Sequence, residues 1–176
     1  MELSHARLLA EDLVQHLVPL CERVQIAGSI RRQKPFPKDI EIVCIPKMEP
    51  QRDMFGNLVE WCRIPEFITF VNSLEKIKGD PRGKYTQRRF KNEVVDLFMA
   101  NKTNWVNTLV IRTGSAEFTH LLMKRALRLG FEHRDGLMYN GDSKVLLPTE
   151  EAFFELLNLP YIEPKDRNEE VFKKLK

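Results

Sequence analysis

At 176 residues with 43% hydrophobic content, the chain is long enough to bury a real core, as one domain or as two small packed lobes. The net charge is only +3 and the isoelectric point near 8.8, so a polyanionic partner is permitted where lysines and arginines cluster, but composition alone does not require one. Cys21, Cys44 and Cys62 form no CxxC pair, Glu2, His5 and Arg7 stand where a signal core would be apolar, and no apolar run approaches the ~20 residues that span a bilayer, so a soluble, intracellular, cytoplasmic monomer without a disulfide framework is expected.

Along the chain, Leu9, Leu13 and Leu17 recur at helical spacing, which predicts an amphipathic helix over Ser4 to Leu20 with Ser4 as its cap. A short strand through Val24 and Ile26 ends at Gly28-Ser29, and a basic turn then runs into Pro35 and Pro37. Asp39 to Ile45 reads as a strand with Asp39, Glu41 and Val43 on one face and Ile40, Ile42 and Cys44 on the other. Pro46 to Arg63 loses its pattern and is predicted to be a surface insertion; Pro65 then opens a helix running to about Lys78. Lys84 to Phe90 and Val94 to Met99, joined at Lys91-Asn92, form a predicted hairpin that carries Asp96. Two helices follow, one capped by Thr103 and ending at Thr113-Gly114, the next running from Ser115 to Gly130. A further helix starts at Thr149, and Lys165 to Lys176 is charged enough to be expected to fray. The boundary between two lobes falls between Asn101 and Gly114.

Two acids at i and i+2 of a strand point the same way about 7 Å apart, and a third from a neighbouring strand can complete a hard-oxygen cluster for divalent magnesium. Asp39, Glu41 and Asp96 meet that description, although a solvated strand edge with the same residues is the commoner case. Gly28-Ser29 closely precedes them, offering backbone N–H groups at a tight turn, with Arg31-Arg32 directly after. Such a turn suits a triphosphate.

Gly28-Ser29-Ile30-Arg31-Arg32, six residues, then Asp39-Ile40-Glu41 resembles the nucleotidyltransferase signature of family X DNA polymerases, of the DNA polymerase beta type. Arg112-Thr113-Gly114-Ser115 opening a helix that ends at Leu129-Gly130-Phe131 resembles the start of that family's thumb, and Tyr161 to Arg167 its closing segment. The resemblance implies an α/β (α+β) fold, with a nucleotidyltransferase palm of small mixed sheet and helices over residues 1–107 and a small α+β thumb over residues 108–176. It further implies that Asp39, Glu41 and Asp96 are catalytic and bind two Mg2+ ions, with Mn2+ as a substitute, Asp96 lying nearest the attacking 3′-hydroxyl. Ser29 and Arg32 would hold the β- and γ-phosphates beside Gly28, and Arg112, Thr113, Gly114 and Ser115 would complete the nucleotide site. The partners so implied are a DNA primer-template, a nucleoside triphosphate and other repair or replication proteins.

The chain departs from the family pattern in three places: Glu41 stands where aspartate is usual, Ile111-Arg112 where an aromatic pair is frequent, and Ala116 where aspartate is frequent. With neither a lyase-like segment nor a helix-hairpin-helix in view, it resembles the short viral members, and Lys84, Arg88, Arg89, Lys91, Lys124, Arg125 and Arg128 are the candidate DNA contacts. Templated addition in gap filling or repair is the expected activity. Template-independent or RNA-type transfer, and a catalytically weak DNA- or nucleotide-binding module, stay open beside it.

Overall fold

The spacing of Leu9, Leu13 and Leu17 closes into α1 (Leu3–Leu17), whose buried stripe also takes Ala6 and Ala10. The helix starts one residue ahead of Ser4, with Glu2 as an extended N-cap that makes no side-chain cap bond, so Ser4 lies inside the first turn. A 3-10 turn, Val18–Leu20, leads into β1 (Cys21–Ile26) and then α2 (Gly28–Arg31), a single helical turn. Next come β2 (Ile40–Pro46), β3 (Met48–Arg52), β4 (Leu58–Arg63), α3 (Pro65–Ser73), β5 (Glu75–Gly79), β6 (Tyr85–Phe90) and β7 (Glu93–Met99). The C-terminal part runs α4 (Trp105–Thr113), α5 (Ala116–Arg128), β8 (Phe131–Arg134), β9 (Leu137–Asn140), β10 (Ser143–Val145), α6 (Glu150–Leu156), a 3-10 turn at Pro164–Asp166 and α7 (Glu169–Lys174). This computed structural model describes residues 1–174.

The main sheet has the order β1-β2-β7-β6-β5 and is mixed: β2 and β7 run parallel, and every other neighbour pair is antiparallel. Its two faces are buried against different partners. Ile40, Ile42, Cys44, Val95, Leu97 and Met99 pack with the stripe of α1 and with Phe67, Ile68 and Val71 of α3. Val43, Ile45 and Phe98 point the other way and join Trp105, Leu109 and Val110 of α4, Phe118 and Leu122 of α5 and Phe153 and Phe154 of α6. The alternation along β2 therefore places Glu41 and Val43 on the face turned toward the C-terminal helices. Beside this sheet stand a three-stranded antiparallel sheet, β10-β9-β8, and a two-stranded ribbon, β3-β4. The result is a mixed α+β fold.

Besides the Ser4 cap, three expectations need correction, and a fourth, the exposed surface insertion, gains a defined structure. The segment Pro46 to Arg63 is an ordered ribbon, closed by Asp53, whose Oδ1 accepts from the backbone N–H groups of Phe55 and Asn57. The helix from Pro65 stops at Ser73, because Glu75–Gly79 pairs with β6 as the edge strand of the main sheet; its side chains are all exposed, so they carry no periodicity to betray a strand. The N-cap of α4 is Asn104, with Thr103 outside it, since the Asn101 side chain takes the N–H groups of Thr103 and Asn104 in a preceding turn. Finally, Lys165 to Lys174 does not fray: Phe172 packs under α5 and Arg167 is buried at 1% exposure. The remaining two residues of that stretch lie outside the described ones. Ser115 and Thr149 do cap their helices, accepting from Phe118 N–H and Ala152 N–H.

Candidate active site

Asp39 immediately precedes β2, Glu41 lies in it, and the parallel register sets Glu41 directly beside Asp96 of β7. Neighbouring strands stand about 4.8 Å apart, so the three carboxylates share one end of the sheet face. Burial and then the neighbouring Asp96 raise the Asp39 carboxyl above its ordinary value. Burial, followed by the charge of Asp39, pushes Glu41 up to about 7, against the opposing pull of Arg32 and Arg112. These are groups crowded by like charge in a half-dry place.

Gly28 explains how Glu41 fits. The glycine has φ +59, and a Cβ added there would lie 1.7 Å from Glu41 Oε2, so only a bare backbone admits the carboxylate. The turn that follows is held down from the end of α4. Arg31 donates to Thr113 Oγ1 at 2.7 Å, Arg32 donates to the Thr113 carbonyl, and a Cβ on Gly114 would meet Arg32 Nη1 at 2.9 Å. Burial lowers the Arg32 guanidinium while Glu41, Glu117 and Asp39 pull it back up. Ser29 Oγ and Arg32 Nε are buried without a hydrogen-bond partner among the described residues. A groove of about 610 Å3 beside them is lined by Arg32, Lys34, Ser115, Glu117 and Arg167.

Asp96, 8% exposed, is gripped by its neighbour strand: Tyr85 Oη donates to Asp96 Oδ1 at 2.6 Å and Gln87 Nε2 to the same oxygen at 2.9 Å. Burial, and then the bond to Asp96, keep the Tyr85 phenol protonated far above its ordinary range. The Tyr85 ring stacks on Phe98 with centroids 5.1 Å apart, and the Arg112 guanidinium sits 4.1 Å from the Phe98 ring centre. Neither Tyr85 nor Gln87 stood out in the sequence, yet the signal was there. A two-residue turn at Lys91-Asn92, with φ +49 and +69, sets Gln87 opposite Asp96 and Tyr85 opposite Phe98.

A second unforeseen group ties the N- and C-terminal halves of the chain together. Glu150, at the start of α6, accepts from Arg31 at 3.0 and 2.5 Å and from Arg167 at 3.0 Å. Burial would raise Glu150, but the Arg31 hydrogen bond and the Arg167 charge outweigh it and hold the carboxyl below its ordinary value. Of the candidate DNA contacts, Arg88 must be withdrawn: it is 1% exposed and donates inward to Val71 O, Lys78 O and Asn72 Oδ1, as a strut between α3 and the sheet. Arg125 is likewise spent on Leu157 O and Asn158 O. Lys84 and Lys91 are exposed but paired with Asp135 and Asp12.

The donor set of Asp39, Glu41 and Asp96 is chemically suited to a hard divalent cation, which would offset the burial and the mutual repulsion that raise Asp39 and Glu41. In their present rotamers the acids do not converge: among the described residues no group of three or more His, Cys, Asp or Glu has a metal-holding arrangement. A larger groove of about 900 Å3 lies elsewhere, between the β3-β4 ribbon and α3, and holds none of these groups. Among the described residues no helix is long and apolar enough to cross a membrane.

Residues 108–168 match the family model of the DNA polymerase beta thumb. The fold is similar to that of Leishmania infantum polymerase beta in a ternary P/T complex, at TM-score 0.74 and 17% identity over 96% of this chain and 76% of that one. It is equally similar to the same polymerase in a ternary gap complex, at TM-score 0.74 and 16% identity over 96% of this chain and 70% of that one. Comparison with curated protein sequences gives no match. The chain thus has a polymerase beta-like fold, with a thumb-type segment over residues 108–168.

Proposed function

We propose that the protein is a DNA-directed nucleotidyltransferase that adds a nucleotide to a DNA 3′-hydroxyl during gap filling or repair, with residues 1–107 as palm and 108–176 as thumb. The observation that carries the reading is the juxtaposition of Glu41 and Asp96 in register, with Asp39 alongside and the Gly28–Arg32 turn packed over Glu41. Acids and cations so arranged suit a reaction in which one oxygen attacks phosphorus and a polyphosphate leaves.

Asp39, Glu41 and Asp96 would hold two Mg2+ ions, or Mn2+ in their place, which supply charge neutralisation to the attacking and leaving oxygens. Ser29 Oγ and Arg32 Nε, buried without protein partners, are donors suited to the phosphates of the nucleotide. Asp96 takes the proton of the primer 3′-hydroxyl through Oδ2, the oxygen not engaged by Tyr85 and Gln87. Arg112, held over Phe98, and the Thr113-Gly114-Ser115 turn flank the sugar and base. Thr113, bonded to both Arg31 and Arg32, ties the phosphate turn to the nucleotide-facing turn.

Extension of a labelled primer across a one-nucleotide gap, with each dNTP and each rNTP offered separately and Mg2+ present, tests the reading. Addition only of the complementary nucleotide is expected. Equal addition on an untemplated single strand would replace it with terminal transfer, and Mg2+-dependent nucleotide binding without addition would replace it with a binding module.

A further inference from the structure

A carboxylate on a strand turns easily about its last torsion, which is broad and roughly two-fold, so an aspartate that must present one chosen oxygen needs outside restraint. Asp96 has such restraint from two directions. Gln87 stands directly across the antiparallel ladder from Asp96, and Tyr85 lies two residues along on the same face. Both donate to Oδ1, at 2.9 and 2.6 Å, and Oδ2 receives no hydrogen bond from the described residues.

We propose that Tyr85 and Gln87 are positioning residues that fix the plane of the Asp96 carboxylate and reserve Oδ2 for the reacting atoms. The inference rests on the nucleotidyl-transfer reading and deepens it. Two features separate this role from plain packing. Among the described residues the Tyr85 hydroxyl and the Gln87 amide donate to no group other than Asp96, so neither polar end holds the fold together. The Tyr85 ring packs on Phe98 through its face, a contact that survives loss of the hydroxyl. Neither residue lines the groove beside Arg32, so neither would touch phosphates held there.

The test is the double variant Tyr85→Phe with Gln87→Leu, together with the single Tyr85→Phe, against wild type and Asp96→Ala. Two readouts are taken: kcat and KM for gap filling, and the affinity of the nucleotide-free protein for Mn2+ by electron paramagnetic resonance. Loss of oriented outer hydrogen bonds to a metal ligand lowers activity or metal affinity by about 10- to 100-fold. The double variant is therefore expected to lose kcat in that range, with KM for the nucleotide within about twofold, and to bind Mn2+ about tenfold more weakly; the single variant lies between. Retention of wild-type kcat or of wild-type Mn2+ affinity by the double variant overturns the inference, as does a loss of kcat that merely follows a collapse in thermal stability. In those cases extension by wild type and its absence in Asp96→Ala leave the functional reading standing. Wild type that extends no primer overturns both.

Discussion

The two faces of β2 and β7 make opposite use of the same alternation. On one, Ile40, Ile42, Cys44, Val95, Leu97 and Met99 meet α1 and α3 in an apolar layer. On the other, Glu41 and Asp96 stand in register beneath a basic turn, and apolar packing resumes only with Val43 and Phe98. The charged face is unfavourable by itself, as the upward push on Glu41 to about 7 records. It persists because the backbone that displays it is anchored from behind. Stability and chemistry are thus divided between the two sides of one pair of strands.

That division is open to attack from either side. Leu97→Ala removes a fully buried side chain from the apolar face. It is expected to cost about 2–5 kcal/mol in urea unfolding, while the folded fraction keeps its activity per molecule. Gly28→Ala strikes the charged face instead: the new methyl must displace Glu41, and a misplacement of that size lowers gap filling on the order of 100-fold, while the left-handed φ at position 28 adds a strain of about 1–2 kcal/mol, less than the loss in Leu97→Ala. If the two variants exchange these effects, the division is wrong.

A smaller effect concerns the tie between α2 and α6. Glu150→Gln leaves Arg31 and Arg167 without their carboxylate and is expected to destabilise by about 2–4 kcal/mol at neutral pH. The folded-state Glu150 carboxyl lies below its unfolded value. Its contribution is therefore fully present above the unfolded value of about 4.3 and fades as the pH falls through the folded one. Unfolding titrations of wild type and variant should converge toward acid, and a constant gap from pH 7 down to pH 3 would deny the ion pair its role.

Much of this site was legible in residues alone, because its parts obey local rules. A glycine ending a strand, acids at i and i+2, and a hairpin closed by Lys91-Asn92 all announce themselves by spacing. The partners of Asp96 were legible in principle through that hairpin's register, although Tyr85 and Gln87 look like ordinary surface residues of a strand. Glu150 was not, since its bond to Arg31 spans 119 positions and no periodicity links them. The fold divides the same way. α1 and β2 were readable because one side of each is buried, whereas β5 and the β3-β4 ribbon expose nearly everything and leave no alternation to read. Arg88 misled because a buried guanidinium with four protein acceptors has the same letter as a DNA-binding one.

The central claim, that Asp39, Glu41 and Asp96 act together in nucleotide addition, is tested most directly by single-turnover gap filling with wild type and Asp96→Ala, folded fractions matched by circular dichroism. If Asp96 has the proposed role toward the 3′-hydroxyl and the metal, its removal is expected to lower the rate at least about 1000-fold, with an unchanged spectrum and melting temperature. A variant that still adds the templated nucleotide at a rate near that of wild type would contradict the account.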